Sequence, residues 1–450
     1  MKTSEFKEQL IKTALPVTVQ SLTQASLSLI DQIMIGSLGS ATIAGIGLAG
    51  KFSSLFFVTV SAIVTAAGIL IAQYRGAKNS RGINDSFFFL FYCSSLLVIA
   101  FTLLSFFMPQ KIMSLYADDY ATISEAAIYL KWKSAEYVPA VVTLFLSTLL
   151  RNMDKSKLPA IAGIVSIAAN TILNWLLIFG TGIFPRMEAA GAALATAISR
   201  IIEMIIVAVL FVREKKAQEL YLKPVIRFSK SFVKKAFKIL IPILVGEFMW
   251  SLGENMYAVI YGHIGTEPCA SMTLMYPIQG IAIGALCGVS SAAGIITGKA
   301  LGAGDMEKAW KYAKNFVRLT TISGIAIGVL VSAISPLYVK FFNVAPETRE
   351  GTIKILLAFS AVFTAKVFNM VIGGGVLQSG GQTKFITAVN IIGTWGFGVP
   401  AGFLAAYLLH LPIWWVYFFL SLEEYVRLLI SVWLLRSKKW MRNVTLEPAK

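Results

Sequence analysis

Few side chains in this sequence are suited to chemistry, and most of them stand among apolar neighbours. Asp31 lies between isoleucines in a long hydrophobic run. A carboxylate held in a bilayer costs about 2.5–3.5 kcal/mol on insertion scales, so a reason for its presence is expected. Desolvation penalises its charged form, which suits it to loading and releasing a proton. Gln24 and Ser28 precede Asp31 at spacings that put all three on one helix face. Asn170 and Asn174 are one turn apart on another run, and Thr196 lies on the next. Amide and hydroxyl oxygens are hard ligands, suited to Na⁺ beside a carboxylate or to hydrogen bonds with a protonated one. Glu247, Trp250 and Glu254 share a third face. Glutamate and tryptophan together hold an organic cation through charge and cation–π contact. Lys366 and Asn369 sit on a later run, and Lys366 is expected to pair with Glu247 or Glu254. Such a pair is a built-in cation that an arriving cationic substrate or proton would displace. Arg200–Glu203 and Glu424–Arg427 are expected to be structural pairs.

The elements that position these residues are membrane spans. The chain has 450 residues, 56% hydrophobic and 14% charged. A soluble domain is about 25% charged. Spans of about 20 apolar residues fall at 13–36, 51–74, 86–108, 124–148, 158–180, 189–212, 239–262, 270–298, 314–337, 352–376, 385–409 and 413–435. Twelve such spans leave no room for a separate globular domain. The fold class expected is an all-α polytopic membrane protein of twelve transmembrane helices in two pseudo-symmetric six-helix bundles, set as a V around a central cavity. The first run lacks a small-residue cleavage site and carries Gln20, Gln24 and Asp31, so it reads as a permanent helix.

Outside the spans, Lys and Arg divide 28 to 4 between the two sides, nine of the 28 lying between Arg213 and Lys238. This asymmetry puts both termini in the cytoplasm. It also turns the net charge of +17 into a topology signal rather than a nucleic-acid footprint. The basic 6–7 segment is expected to touch anionic lipid heads. Cys93, Cys269, Cys287, His263 and His410 form no disulfide framework or metal motif.

The chain repeats itself. Residues 16–79 align with 242–305 at a constant offset of 226, with twelve identities. Pro16 meets Pro242, Gly36 and Gly39 meet Gly262 and Gly265, and Ala66-Ala67-Gly68-Ile69 meets Ala292-Ala293-Gly294-Ile295. Gly76-Ala77 meets Gly302-Ala303. Pro109 and Pro336, and Lys157 and Lys384, match at an offset of 227. Six spans separate the copies, so the two halves have the same orientation and an axis along the membrane normal. The domains expected are a bundle at 1–212, a basic cytoplasmic linker at 213–238, and a bundle with its tail at 239–450. Rocking of one half against the other gives alternating access.

Several motifs, in order along nearly the whole chain, resemble those of the multidrug and toxic compound extrusion (MATE) family. Span 1 ends Ile30-Asp31-Gln32-Ile33-Met34-Ile35-Gly36-Ser37-Leu38-Gly39, like the family's Val-Asp-Thr-x-x-x-Gly-x-Leu-Gly. Span 2 exits as Ala72-Gln73-Tyr74-Arg75-Gly76-Ala77, like its Ala-Gln-x-x-Gly-Ala. Asn170-Thr171-Ile172-Leu173-Asn174, Gly191-Ala192-Ala193-Leu194-Ala195-Thr196 and the closing Arg436-Ser437-Lys438-Lys439-Trp440 fit as well.

The resemblance implies export of organic cations or drugs in exchange for H⁺ or Na⁺, with no other cofactor. It implies a coupling site at Asp31, Asn170, Asn174 and Thr196, and a substrate contact at Gln24. The second span-5 position is Asp or Asn in the family; Asn174 leaves one carboxylate here, so H⁺ and Na⁺ both stay open. Some members carry a Glu on span 7 and an Asp on span 10 as a second cation site. Those positions fall here near Trp250 and Lys366, a departure from the pattern. The alternative is a flippase for lipid-linked saccharides of the same superfamily, which would favour a basic cavity. A porter of the major facilitator type would carry an acidic-basic 2–3 loop, unlike Gly76 to Ile83. No metal spacing, nucleophile–base pair or phosphate loop points to an enzyme. The partners implied are organic cations and membrane lipids, the state a monomer, and the location the cytoplasmic membrane.

Overall fold

A computed structural model describes residues 3–36, 38, 40–116, 119–182, 184–217, 222–264, 266–340 and 346–446. Within these, side chains are described except at 3, 4, 27–33, 36, 40, 41, 44, 215–217, 262, 263, 266, 267, 269 and 270. The described chain is mostly helical, with its longest non-helical described stretches at 222–229 and 438–446. The helices of the first half are α1 (Thr3–Gly36), α2 (Ser40–Gly76), α3 (Ser80–Phe107), α4 (Pro109–Met113), α5 (Tyr120–Lys133), α6 (Tyr137–Asn152), α7 (Lys157–Phe179) and α8 (Glu188–Ala217). Those of the second half are α9 (Lys230–Ile264), α10 (Thr266–Gly302), α11 (Met306–Val339), α12 (Pro346–Phe368), α13 (Thr383–Ile391), α14 (Val399–Phe403), α15 (Ile413–Ser421) and α16 (Glu423–Ser437).

Every span expected from hydropathy is found. Several helices overrun the apolar stretch at its basic end: α9 starts at Lys230 and α11 at Met306. Lysine and arginine are good helix formers, so the helix continues beyond the hydrocarbon. Among the described residues, nine helical stretches are long and apolar enough to cross a membrane. Three of the expected spans, the first, fourth and twelfth, fall outside that set, the last two for a common reason. A 3₁₀ turn at Ser134–Glu136 divides α5 from α6, and the chain bends at Leu422 between α15 and α16. Both breaks carry buried charges that satisfy one another. Lys133 Nζ lies 3.1 Å from Glu136 Oε1, with the Glu136 side chain 2% exposed.

The tenth and eleventh spans contain π-helical segments at Asn369–Leu377, Ile392–Gly398 and Leu404–Leu408. Such widened turns are frequent at functional sites. Outside the membrane, Asp119 caps α5 by accepting from Thr122 N at 2.9 Å and Thr122 Oγ1 at 2.8 Å. These bonds favour the carboxylate and lower the Asp119 pKa.

The chain forms two compact units. One comprises Met1–Thr18, Ala72–Asn79 and Lys230–Lys450. Phe316, Phe359 and Phe363 are fully buried at its centre. The other comprises Val19–Ile71 and Ser80–Ser229. There α7 packs along α8, and Tyr137, Phe56 and Phe145 fill the interior. Leu96, Ile99 and Phe107 on α3 are exposed, an apolar face of the kind that lipid covers.

Candidate functional site

In the second unit, α7 and α8 bring together the polar residues their sequence spacing suggested. Asn174 Nδ2 donates to Asn170 Oδ1 at 3.4 Å, and Asn170 Nδ2 donates to Thr196 Oγ1 at 3.4 Å. Thr196 Oγ1 donates in turn to the Ala192 carbonyl at 2.9 Å. The result is a cluster of neutral oxygens and amides on two packed helices. Asp31 lies on α1, but its side chain, like that of Ser28, is outside the described residues. Gln24 is exposed on the same helix. Arg200 and Glu203 form the expected pair at 2.7 Å.

In the first unit the charges pair differently from the expectation. Lys366 does not bond to Glu247 or Glu254; its Nζ lies 3.1 Å from Glu424 Oε1. Asn369 Nδ2 donates to Glu424 Oε2 at 2.9 Å and to the Glu424 carbonyl at 2.8 Å. Arg427 takes Glu423 at 3.2 Å, one residue away from the expected Glu424. Tyr257, which stands where the repeat would place an aspartate, donates to Glu423 Oε2 at 2.7 Å. Arg427 also donates to Thr394 Oγ1. Two glutamates, a lysine and an arginine thus form one buried and balanced network.

The physical reason is helix rotation plus charge parity. Adjacent residues on a helix point about 100° apart, so Glu423 and Glu424 face different neighbours. One reaches Arg427 one turn on; the other is left to span 10, where Lys366 needs an anion. Charges buried without partners are strongly destabilising. The sequence signal was the surplus: Glu423, Glu424 and Arg427 leave one negative charge, and Lys366 supplies one positive.

This network forms a wall of a cleft of about 470 Å³, counting its open mouth. Glu254, Tyr257, Tyr261, Tyr276, Gln279 and Tyr417 line it beside Lys366. Since Lys366 is engaged, Glu254 is the lining carboxylate with no ion pair or hydrogen bond among the described residues. A carboxylate among four tyrosines is suited to a cation with an apolar body. Glu247 and Trp250, on the same helix as Glu254, are not among the lining residues; Glu247 is half-buried and Trp250 is 43% exposed. The buried Lys133–Glu136 pair in the other unit was also missed by sequence spacing, because it sits in the 3₁₀ break.

The chain resembles solved transporters over almost its whole length. A crystal structure of MATE in complex with MaL6 superposes with a TM-score of 0.87 at 17% identity, covering 97% of each chain. A MOP superfamily transporter from Pyrococcus furiosus, described as having a binding pocket of reverse polarity, gives 0.86 at 17% identity, covering 97% of this chain and 96% of that one. By sequence, a probable multidrug resistance protein NorM from Thermotoga maritima is 23% identical over 449 residues, 98% of this chain and 95% of that protein. The uncharacterized transporter YisQ of Bacillus subtilis is 21% identical, over 92% of this chain and 90% of its own. The structural likeness confirms the fold of twelve helices in two six-helix bundles. The MatE family model matches residues 16–176 and again 242–404, the two copies of the internal repeat, and the chain belongs to the MatE family.

Proposed function

We propose that this protein is a multidrug efflux transporter that exports organic cations in exchange for H⁺ or Na⁺ by alternating access. The observation that carries the cargo assignment is the tyrosine-lined cleft in which Glu254 has no ion pair among the described residues. A flippase for lipid-linked saccharides asks for basic side chains free to hold a pyrophosphate. Engagement of Lys366 by Glu424 therefore supports cationic cargo. The resistance proteins among the relatives support the same reading.

The coupling ion is held by Asp31 with Asn170, Asn174 and Thr196. As a proton site, Asp31 alone carries the ion and the amides stabilise the protonated carboxyl. As a sodium site, Asp31 supplies the charge and the neutral oxygens complete the shell. Gln24 and Trp250 contact cargo outside the cleft. The chain works as a monomer in the cytoplasmic membrane among its lipids, with both termini inside. It is a transporter and not an enzyme.

The test is efflux of a cationic dye from proteoliposomes under a pH gradient or a Na⁺ gradient imposed separately. Wild type should export under one of them. Glu254→Gln, measured beside it, should raise the half-saturating dye concentration about tenfold, the loss of one charge-assisted contact. An unchanged half-saturation in the mutant would remove the cleft from the cargo path. Absence of efflux under both gradients, with transfer of a lipid-linked saccharide, would replace the drug reading with the flippase.

A further inference from the structure

Gln73, at the end of α2, is fully buried. Its Nε2 donates to the Ser379 carbonyl at 2.6 Å and to the Arg442 carbonyl at 3.2 Å. Its Oε1 accepts from the Val444 amide at 2.7 Å. Two of these three partners belong to the tail that follows α16. That tail turns back at Lys438, in the left-handed region at φ 56°. It buries Trp440, and Asn443 Nδ2 donates to the Gly302 carbonyl at 3.0 Å. The tail therefore grips the ends of both α2 and α10.

The helix ends under the tail meet in a specific way. A Cβ on Gly76 would lie 2.0 Å from the Lys299 carbonyl oxygen, and one on Gly302 would lie 1.9 Å from that of Gln73. Adding the repeat offset of 226 to 73 and 76 gives 299 and 302, so the repeat exchanges these two contacts. Ala72 and Gly298 are equivalent as well, and the Ala72 Cβ lies 3.0 Å from where a Gly298 Cβ would stand. A contact in which i meets j and j meets i lies on a two-fold axis. Here the two backbones come too close for a methyl group on either, so the helix ends are held in direct contact. The crossing is symmetric, but the tail is not. The counterpart of Gln73 is Lys299, and the tail bonds with its backbone to Gln73.

We propose that Gln73 is a positioning residue for transport: it anchors the C-terminal tail as a latch across the α2–α10 crossing and holds this side of the transporter shut. The inference rests on the alternating-access reading. By the distribution of basic residues, the latched side is the cytoplasmic one. Opening it requires the tail to leave Gln73 and the two helix ends to part.

The test is cysteine accessibility in the full-length protein, reconstituted in vesicles with this face outward. Native cysteines are replaced by serine, and Ser379→Cys is introduced as a near-isosteric probe under the tail, where Ser379 is 1% exposed. Alkylation by a membrane-impermeant maleimide should be slow. Adding Gln73→Ala should speed it at least about tenfold, the shift expected from losing hydrogen bonds of ordinary net worth. Ala313→Cys on α11, fully buried in the same unit, serves as the control and should stay unreactive. Equal labelling with and without Gln73→Ala would overturn the latch. So would a parallel rise at both probe positions, which would mean general loosening. Labelling uses no dye and no ion gradient, so failure of the transport reading shows separately, in the efflux assay.

Discussion

Asp31→Asn should reduce gradient-driven accumulation of a cationic dye from about 100-fold to parity when the driving ion gradient is itself about 100-fold. One-for-one exchange of H⁺ or Na⁺ for a monovalent cation is electroneutral. The ion ratio then sets the dye ratio, tenfold for each ~1.4 kcal/mol. Asparagine keeps the size and polarity of the side chain but can neither carry a proton nor bring a charge to Na⁺. The other residues proposed for the coupling site give no substitute, since Asn170, Asn174 and Thr196 are all neutral. Equilibrium binding of the dye at the Glu254 cleft should survive, because that cleft belongs to the other unit. A mutant that still concentrates dye would move coupling away from Asp31. The candidates would then be the other membrane carboxylates, Glu136 first, since its Oε2 is buried and has no hydrogen-bond partner among the described residues.

The second large effect is on stability. Lys366→Met should cost about 3–5 kcal/mol, because it leaves Glu424 buried without its cation. Glu424→Leu should cost a similar amount by stranding Lys366, whose side chain is 27% exposed, so its loss falls toward the lower end of that range. The double variant should recover most of the loss, since replacing a whole buried pair by apolar groups is often neutral. Chemical unfolding in micelles reads all three. A Lys366→Met/Glu254→Leu double variant should show no such recovery. Recovery there, and additive losses in the Lys366/Glu424 cycle, would restore the pairing expected from the sequence. The cycle is the clean way to separate the pair from its network, since Asn369, Glu423 and Arg427 touch the same carboxylates.

What the sequence made legible follows from which interactions are local. Spans are read from runs of apolar residues, and all twelve appear. The Asn170–Asn174–Thr196 cluster was legible because one helix turn fixes the first pair and α7 packs on its successor in the chain. The repeat was legible as an offset, and the exchanged contacts at Gly76 and Gly302 give it a place in space. The partner of Lys366 was not legible. It depends on the rotation of α16 after the bend at Leu422, and one residue of rotation decides between Glu423 and Glu424. The break at Ser134–Glu136 was hidden for a related reason. A charged pair inside a span reads as a span boundary or a functional site until its mutual distance is known. The π-helical segments at Asn369–Leu377 and Ile392–Gly398 leave no simple spacing signal. Gln73 was read as part of a motif, and its role depends on a tail that lies about 370 residues later in the chain.

An antiporter moves cargo and ion in opposite directions through one protein, and the reciprocal experiment reads that exchange itself. Proteoliposomes would be loaded with a cationic dye at no initial ion gradient, with a pH reporter inside and radioactive sodium as a tracer. Release of the dye down its own gradient should draw H⁺ or Na⁺ inward in fixed proportion to the dye that leaves, and Asp31→Asn should abolish the ion movement. Dye that leaves at the wild-type rate with neither ion entering would rule out exchange, because the protein would then be a passive path rather than an antiporter.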